Sequence, residues 1–437
     1  MRKRQFLLIL SALCLLPLTP QVYAMDAVQG NRLIFFGDSL TDTGNFPEPA
    51  NVNNPQRLNF NLYVPISNPL SVQDSGLNEA FLQASLGPIQ LQGTINGSMR
   101  RLYSVNWPLY YAYMVNQQPV VSWYTAITNN QSSSQNVNFA WASAFAGSPS
   151  TQDLSNNACL RNGGALFSNS CSTDMILAGR NAYLANTKKN PAFDKETKYQ
   201  YNDLVIPTLG KQVSLYLENS DISLKPDSTF FIYIGNNDIG YFLKQNIPRI
   251  VIQSPEVFQK TINKTMPTIS NYVLHAVQRI EAAYKQKASN ASYHINILTL
   301  THLSNLAEGY AYTHPSVFGK PTWIPIISSR IEKAINNSVD AYNAELHSTF
   351  DHDEHVTVLD AGKHLDKLAS NTDYQSAVNQ GAACVNESAY TTASAEKTNN
   401  CHYIDQSKQV TYFSWNNAHL TSPANKAFAD YIASQIW

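Results

Sequence analysis

Residues 32–45 read Arg32-Leu33-Ile34-Phe35-Phe36-Gly37-Asp38-Ser39-Leu40-Thr41-Asp42-Thr43-Gly44-Asn45. The opening apolar run stops at Gly37, the pattern of a short buried strand. Ser39 then falls at the carboxyl end of that strand, where a helix is expected to begin and offer its free amides. Outward from this point strand and helix alternate. A short aromatic helix is expected over 107–114, a second strand over 119–125, and a strand-to-loop passage at Asn138-Phe139-Ala140-Trp141. Beyond residue 205 the pattern becomes regular. Helical spacing over 209–219, 256–288 and 326–350 is interleaved with β-prone runs at Thr229 to Ile234, Ile295 to Leu300 and Val356 to Leu359. A closing helix covers 423–437, with Ser422 placed to cap it and Pro423 suited to its first turn. Such alternation predicts an α/β domain, a parallel sheet covered by helices on both faces, with ligands beyond the carboxyl ends of the strands.

Three polar stretches break the alternation, near 46–100, 148–200 and 368–405, and read as insertions into one domain spanning 25–437. Residues 1–24 read as a cleavable export signal: Arg2, Lys3 and Arg4, an apolar run from Phe6 to Leu16, then Val22-Tyr23-Ala24. That run is shorter than the ~20 residues a membrane span needs. Cleavage would remove Cys14 and leave Cys159, Cys171, Cys384 and Cys401 in an oxidising compartment, secreted or periplasmic. Four cysteines allow three pairings. The local ones, Cys159–Cys171 and Cys384–Cys401, are favoured because both segments look like loops. Lys plus Arg total 30 against 31 Asp plus Glu, a balance with no electrostatic footprint for nucleic acid. At 43% hydrophobic and 14% charged, the chain can bury a sizeable core and is not the composition of a disordered protein.

Beside Ser39, two further segments hold residues suited to nucleophilic catalysis. Gly235-Asn236-Asn237-Asp238 follows a predicted strand directly, and Phe413-Ser414-Trp415-Asn416-Asn417-Ala418-His419-Leu420-Thr421 precedes the last helix. A serine at a strand end, a neutral amide donor and a histidine are the parts of an acyl-transfer site. Asp351-His352-Asp353-Glu354-His355 reads as a solvated connector, and no metal or other cofactor is expected. No Gly-x-Ser-x-Gly elbow is present around Ser39.

The run from Phe36 to Asn45 resembles the GDSL family of lipases and esterases, the SGNH hydrolases. The resemblance implies a flavodoxin-like three-layer α/β/α sandwich, with Ser39 as nucleophile and its N–H in the oxyanion hole. It assigns Asn237 as a side-chain oxyanion donor and His419 as general base, while Asp238 is expected to cap the segment that follows it. Asn138-Phe139-Ala140-Trp141-Ala142-Ser143-Ala144 is similar to the family's Asn-Phe-Ala-x-Gly-Gly-Ala. Both glycines are replaced, and Ser143 is the expected third donor through its backbone N–H, provided its dihedral angles permit it. The family's Asp three residues before the histidine is Asn416 here. Its amide oxygen can accept the imidazole Nδ1–H but supplies no charge. Three readings follow: Asn416 orients His419 in a weaker triad, another group such as a backbone carbonyl does so, or the chain is a less active variant. Arg101 to Trp107 also resembles a segment of the secreted branch and reads as acyl-pocket or structural, with no role assigned to a residue.

The resemblance is greatest to the bacterial lysophospholipase A and glycerophospholipid:cholesterol acyltransferase group. It implies a phospholipid or lysophospholipid substrate met at a membrane surface, water or a sterol as acyl acceptor, and an activating protease that nicks the loop between Cys384 and Cys401. A carbohydrate or aryl esterase, and a non-catalytic lipid-binding homologue, are the alternatives. Covalent labelling of Ser39 separates the last from the enzymes.

Overall fold

The computed structural model describes residues 32–45, 69–86, 91–95, 98–128, 136–147, 172–178, 205–306, 309, 312–314, 316–317, 320–321, 323–371, 413–414 and 419–436. The expected signal at 1–24, the four cysteines expected to pair and Asn416 lie outside them. In chain order the elements are β1 (Arg32–Gly37), β2 (Pro69–Leu70), α1 (Val72–Ser75), α2 (Glu79–Leu86), β3 (Leu91–Ile95), β4 (Ser98–Ser104), α3 (Trp107–Val115), β5 (Val120–Ser122), α4 (Trp123–Thr128) and β6 (Asn136–Asn138). There follow α5 (Leu209–Glu218), β7 (Ser228–Tyr233), α6 (Asn236–Ile252), α7 (Pro255–Lys287), β8 (Tyr293–Leu298), β9 (Ser316–Val317), β10 (Lys320–Pro321), α8 (Pro325–Phe350), β11 (Val356–Leu359), α9 (Ala361–Ala369) and α10 (Ser422–Ile436).

Six strands form one parallel sheet in the order β11-β8-β7-β1-β6-β5. From β6 to β11 this is the order of flavodoxin-like sheets, with β5 as an added edge strand. Every residue of β1 is buried, which explains its unbroken apolar run: side chains alternate between two covered faces. Phe35 meets the edge of Trp107 on one face, at 5.4 Å between ring centroids. Phe36 meets Tyr216 of α5 on the other, at 6.0 Å. Helices α3 and α10 thus cover one face and α5 and α7 the other, a three-layer α/β/α sandwich.

The expected elements recur, with differences. Residues 119–125 hold a short strand that turns at once into α4. The stretch 46–100, expected to be irregular, contains β2, two short helices and the start of an antiparallel β3–β4 pair. Helix α6 was not foreseen; Pro248 stands inside it and masks its pattern. Ser422 does not cap α10: its hydroxyl donates to the Val105 carbonyl at 3.3 Å, and Thr421 supplies the cap, its Oγ1 facing the Ala424 N–H and its carbonyl accepting from Asn425 at 2.8 Å. No described helix is long and apolar enough to cross a membrane.

Candidate active site

Strands β1 and β7 are neighbours in register, Gly37 opposite Tyr233. The chain order changes direction between them, and in such sheets that is where ligands bind. Both strands end in glycine-dependent turns. An added Cβ at Gly37 would lie 2.4 Å from the Tyr233 carbonyl oxygen, so no other residue fits there. Gly235 has φ +122° and turns the chain sharply into α6.

Beyond Gly37 no helix begins. The Asp38 carbonyl accepts from the N–H groups of Thr41 and Asp42, both at 3.0 Å, and its Oδ1 accepts from Leu40 at 3.0 Å. Asp38 thereby consumes the amides that a helix would have offered, and Ser39 stands in a closed turn instead. The expectation of a helix at this point is corrected accordingly; the helix N-terminus at the site belongs to α6. Burial pushes the Asp38 carboxyl up to about 7, against the hold of the Leu40 amide.

The rest of the block is scaffolding. Asp42 accepts from Gly44, Asn45 and Ala142 N–H groups at 2.8, 2.7 and 2.8 Å. Asn45 donates to the carbonyls of Asn138 and Ala140 at 2.6 and 3.0 Å. Trp141 N–H donates to the Gly37 carbonyl at 3.2 Å. The loop after β6 is thereby laced to the turn after β1. Within that loop Ser143 adopts φ +64°, the left-handed region that favours glycine, and this is the position where the resemblance expects one. The N–H groups of Ser39 and Ser143 donate to no acceptor among the described residues.

Asn237 is the second residue of α6. Its Nδ2 donates to the Ala144 carbonyl at 2.7 Å, which fixes the amide plane and leaves a second amide hydrogen. Asp238 does not cap α6. It is buried and accepts from the Ala146 and Gly147 N–H groups at 2.8 and 3.2 Å, holding the Ser143 loop against the helix start.

His419 is carried in from the far end of the chain. Leu420 bridges to Ser414, Thr421 N–H donates to the Phe413 carbonyl at 3.0 Å, and Asn425 Oδ1 receives the Trp107 N–H at 3.1 Å. The neighbouring Asn106 donates to the Asp42 carbonyl at 2.8 Å. Hydrogen bonds through residues 105–107 therefore tie the histidine segment to the Ser39 turn, which assigns a structural task to the end of the Arg101–Trp107 segment. The ring is buried, and burial lowers its pKa to about 4. No hydrogen bond joins it to the Ser39 hydroxyl; in enzymes without substrate such contacts often close only in the reacting complex.

Ser39 and Asn237 line one cleft with Asp38 and Asn236. The remaining wall is largely aliphatic: Leu40, Leu243, Leu303, Leu306 and Ile335. Residues 351–355, between α8 and β11, form a connector.

Sequence reasoning missed the aliphatic wall and one clamp. Gln212 of α5 accepts the Gly37 N–H at 3.0 Å and donates to the carbonyls of Gly37 and Pro207 at 2.9 and 3.2 Å. A glutamine on the apolar face of an amphipathic helix was the available signal. No family model matches the chain, and no curated protein matches it.

Proposed function

We propose that the chain is an exported serine acyl hydrolase of the SGNH type that cleaves fatty-acyl esters of phospholipids or lysophospholipids and can pass the acyl group to a sterol. The observation that carries this reading is the shared cleft: a nucleophile-bearing turn and an amide donor from adjacent strands at one end, an aliphatic wall at the other. A fatty-acyl ester has the same polarity profile.

In the proposed reaction Ser39 Oγ attacks the ester carbonyl and its proton passes to His419 Nε2. The oxyanion receives the N–H groups of Ser39 and Ser143 and the second amide hydrogen of Asn237. All are neutral, fixed donors aimed at charge that develops only in the transition state. His419 then protonates the departing alcohol, and water or a sterol hydroxyl releases the acyl group by the reverse sequence. Asn416 serves as the neutral acceptor that orients His419, and the low basicity of the ring fits the absence of a carboxylate at that position.

The test is fluorophosphonate labelling of the purified chain beside Ser39→Ala, followed by product analysis with lysophosphatidylcholine and cholesterol. Label and products that vanish together in the variant support the reading. A wild-type chain that takes no label and releases no fatty acid refutes it, and fatty acid without cholesteryl ester removes the sterol.

A further inference from the structure

Three helices leave the catalytic edge of the sheet and run well beyond it. Tyr342 of α8 donates to the Ile234 carbonyl at 2.9 Å, which sets that point of α8 level with the end of β7. Tyr272 of α7 lies against Gly147, where an added Cβ would fall 2.3 Å from its ring, level with the loop after β6. Helix α6 starts at the same edge. From these points to Ile326, Val257 and Ile252 the three helices extend ~22–24 Å, at 1.5 Å per residue. Their far ends meet where Arg330 donates to the Val251 carbonyl at 2.6 Å, and midway along α6 Phe242 stacks on Phe258 of α7 at 5.8 Å.

This shared tip holds four of the five large apolar side chains that the described residues leave exposed: Ile252 at 80%, Ile326 at 70%, Val257 at 49% and Trp323 at 41%. Over residues 249–260 and 323–333 stand the cations Arg249, Lys260, Arg330 and Lys333 against Glu256 and Glu332, an excess of two positive charges in a chain of net charge -1. Between edge and tip lies the aliphatic cleft, to which α6 contributes Leu243 and α8 contributes Ile335.

We propose that this tip docks on the surface of an anionic phospholipid bilayer, seating Ile252, Val257, Trp323 and Ile326 at the headgroup–acyl boundary. Exposed aliphatic residues with a tryptophan, flanked by cations, have the composition of interfacial anchors. The cations match lipid phosphate and the negative potential of an anionic leaflet. The acyl-hydrolase reading supplies the reason for docking, delivery of a membrane ester to the cleft, while the docking itself is measured without catalysis.

The experiment is co-sedimentation of the full chain with mixed phosphatidylcholine–phosphatidylglycerol vesicles and with phosphatidylcholine alone. The variants are Ile252→Ser/Ile326→Ser, Arg249→Glu/Lys333→Glu, and Met175→Ser as an exposed control away from the tip. Hydrolysis of a water-soluble short-chain ester is measured in parallel. Wild type is expected to prefer the mixed vesicles and to lose binding with added salt. Each double variant should bind at least ~tenfold more weakly, since burying one aliphatic side chain is worth about that factor or more and each cation near an anionic surface is worth about fivefold. Short-chain ester rates and circular dichroism should match wild type. Wild type that ignores the mixed vesicles, unchanged binding in the Ile252/Ile326 variant, or an equal loss in Met175→Ser overturns the proposal. So does a lipid-free dimer that the tip substitutions dissociate, which would give the face to a second copy. A chain that binds vesicles through the tip but takes no fluorophosphonate refutes the hydrolase reading alone; one that hydrolyses the soluble ester but binds no vesicle refutes the docking alone.

Discussion

Replacing Ser143 with glycine separates a backbone role from a side-chain role at one atom. Ser143 sits at φ +64°, where a residue with a Cβ carries a penalty of ~1–2 kcal/mol. Glycine removes it but adds ~0.5–1 kcal/mol of unfolded-state freedom. The balance favours Ser143→Gly by about 0.5–1 kcal/mol, a rise in melting temperature of roughly 0.5–1 °C for a chain of this size. Because the donor assigned to the oxyanion is the N–H, kcat on a short-chain ester should stay within about threefold in Ser143→Gly and Ser143→Ala. Ser143→Val puts a β-branched residue where it is a genuine outlier, and it should lower the melting temperature. Asn237→Ala, which removes a side-chain donor, should cost about 10²–10³ in kcat. Thermal melts and initial rates on the four variants check this. A hundredfold loss of kcat in Ser143→Gly would show that the hydroxyl, not the amide, does the work. A lower melting temperature in the same variant would refute the strain argument.

The remaining predictions concern the base and its supports. His419 must be neutral to accept a proton, and burial sets its pKa near 4, so the acid limb of kcat/KM should have its midpoint near pH 4 rather than near 6.5. A midpoint near 6.5 would contradict a buried neutral ring. The same shift links to stability: the folded pKa lies below the unfolded value, so His419 contributes fully above pH 6.5 and its contribution is lost as pH falls toward 4, by about 3 kcal/mol in all. Urea melts of His419→Gln across that window should lose that slope. Gln212→Met keeps the volume and strips the buried Gly37 N–H of its acceptor, at about 1–3 kcal/mol, while the Gly37 carbonyl keeps the Trp141 N–H; an unchanged urea midpoint would show that water replaces the clamp. Asn416→Asp should raise kcat, with the ~10⁴ of a protease Asp–Asn exchange as its ceiling, and move the acid limb upward. Equal rates for Asp, Asn and Ala at 416 would remove Asn416 from the mechanism.

What could be read in advance divides along a physical line. The strands of the sheet were legible because burial on both faces forces continuous apolar runs, and Arg32–Gly37 and Ser228–Tyr233 carry no other signal. Ser39 and Asn237 were legible because each follows such a run by a fixed few residues, so locating the strand end locates the side chain. The helix expected after Ser39 failed for a local reason: Asp38 closes the turn with its own carboxylate and carbonyl, and a propensity argument does not register where one side chain's acceptors go. Gln212 could not be paired with Gly37 because the contact joins residues 175 apart, and the aliphatic wall draws Leu243, Leu303 and Ile335 from three separate segments.

The same line explains why the block from Phe36 to Asn45 is so polar yet so buried. Ser39 faces the cleft with an unengaged N–H; Asp38 Oδ1, the Asp42 carboxylate and the Asn45 amide nitrogen are spent on the backbone of the two loops beside it. Each such bond replaces one the loop would have made to water, so these residues stabilise little by themselves but prevent the cost of burying bare amides. Their removal should therefore loosen the Ser143 loop as a unit rather than by single contacts. Site preorganisation and loop stability then rest on the same hydrogen bonds, and a substitution at Asp42 or Asn45 cannot change one without the other.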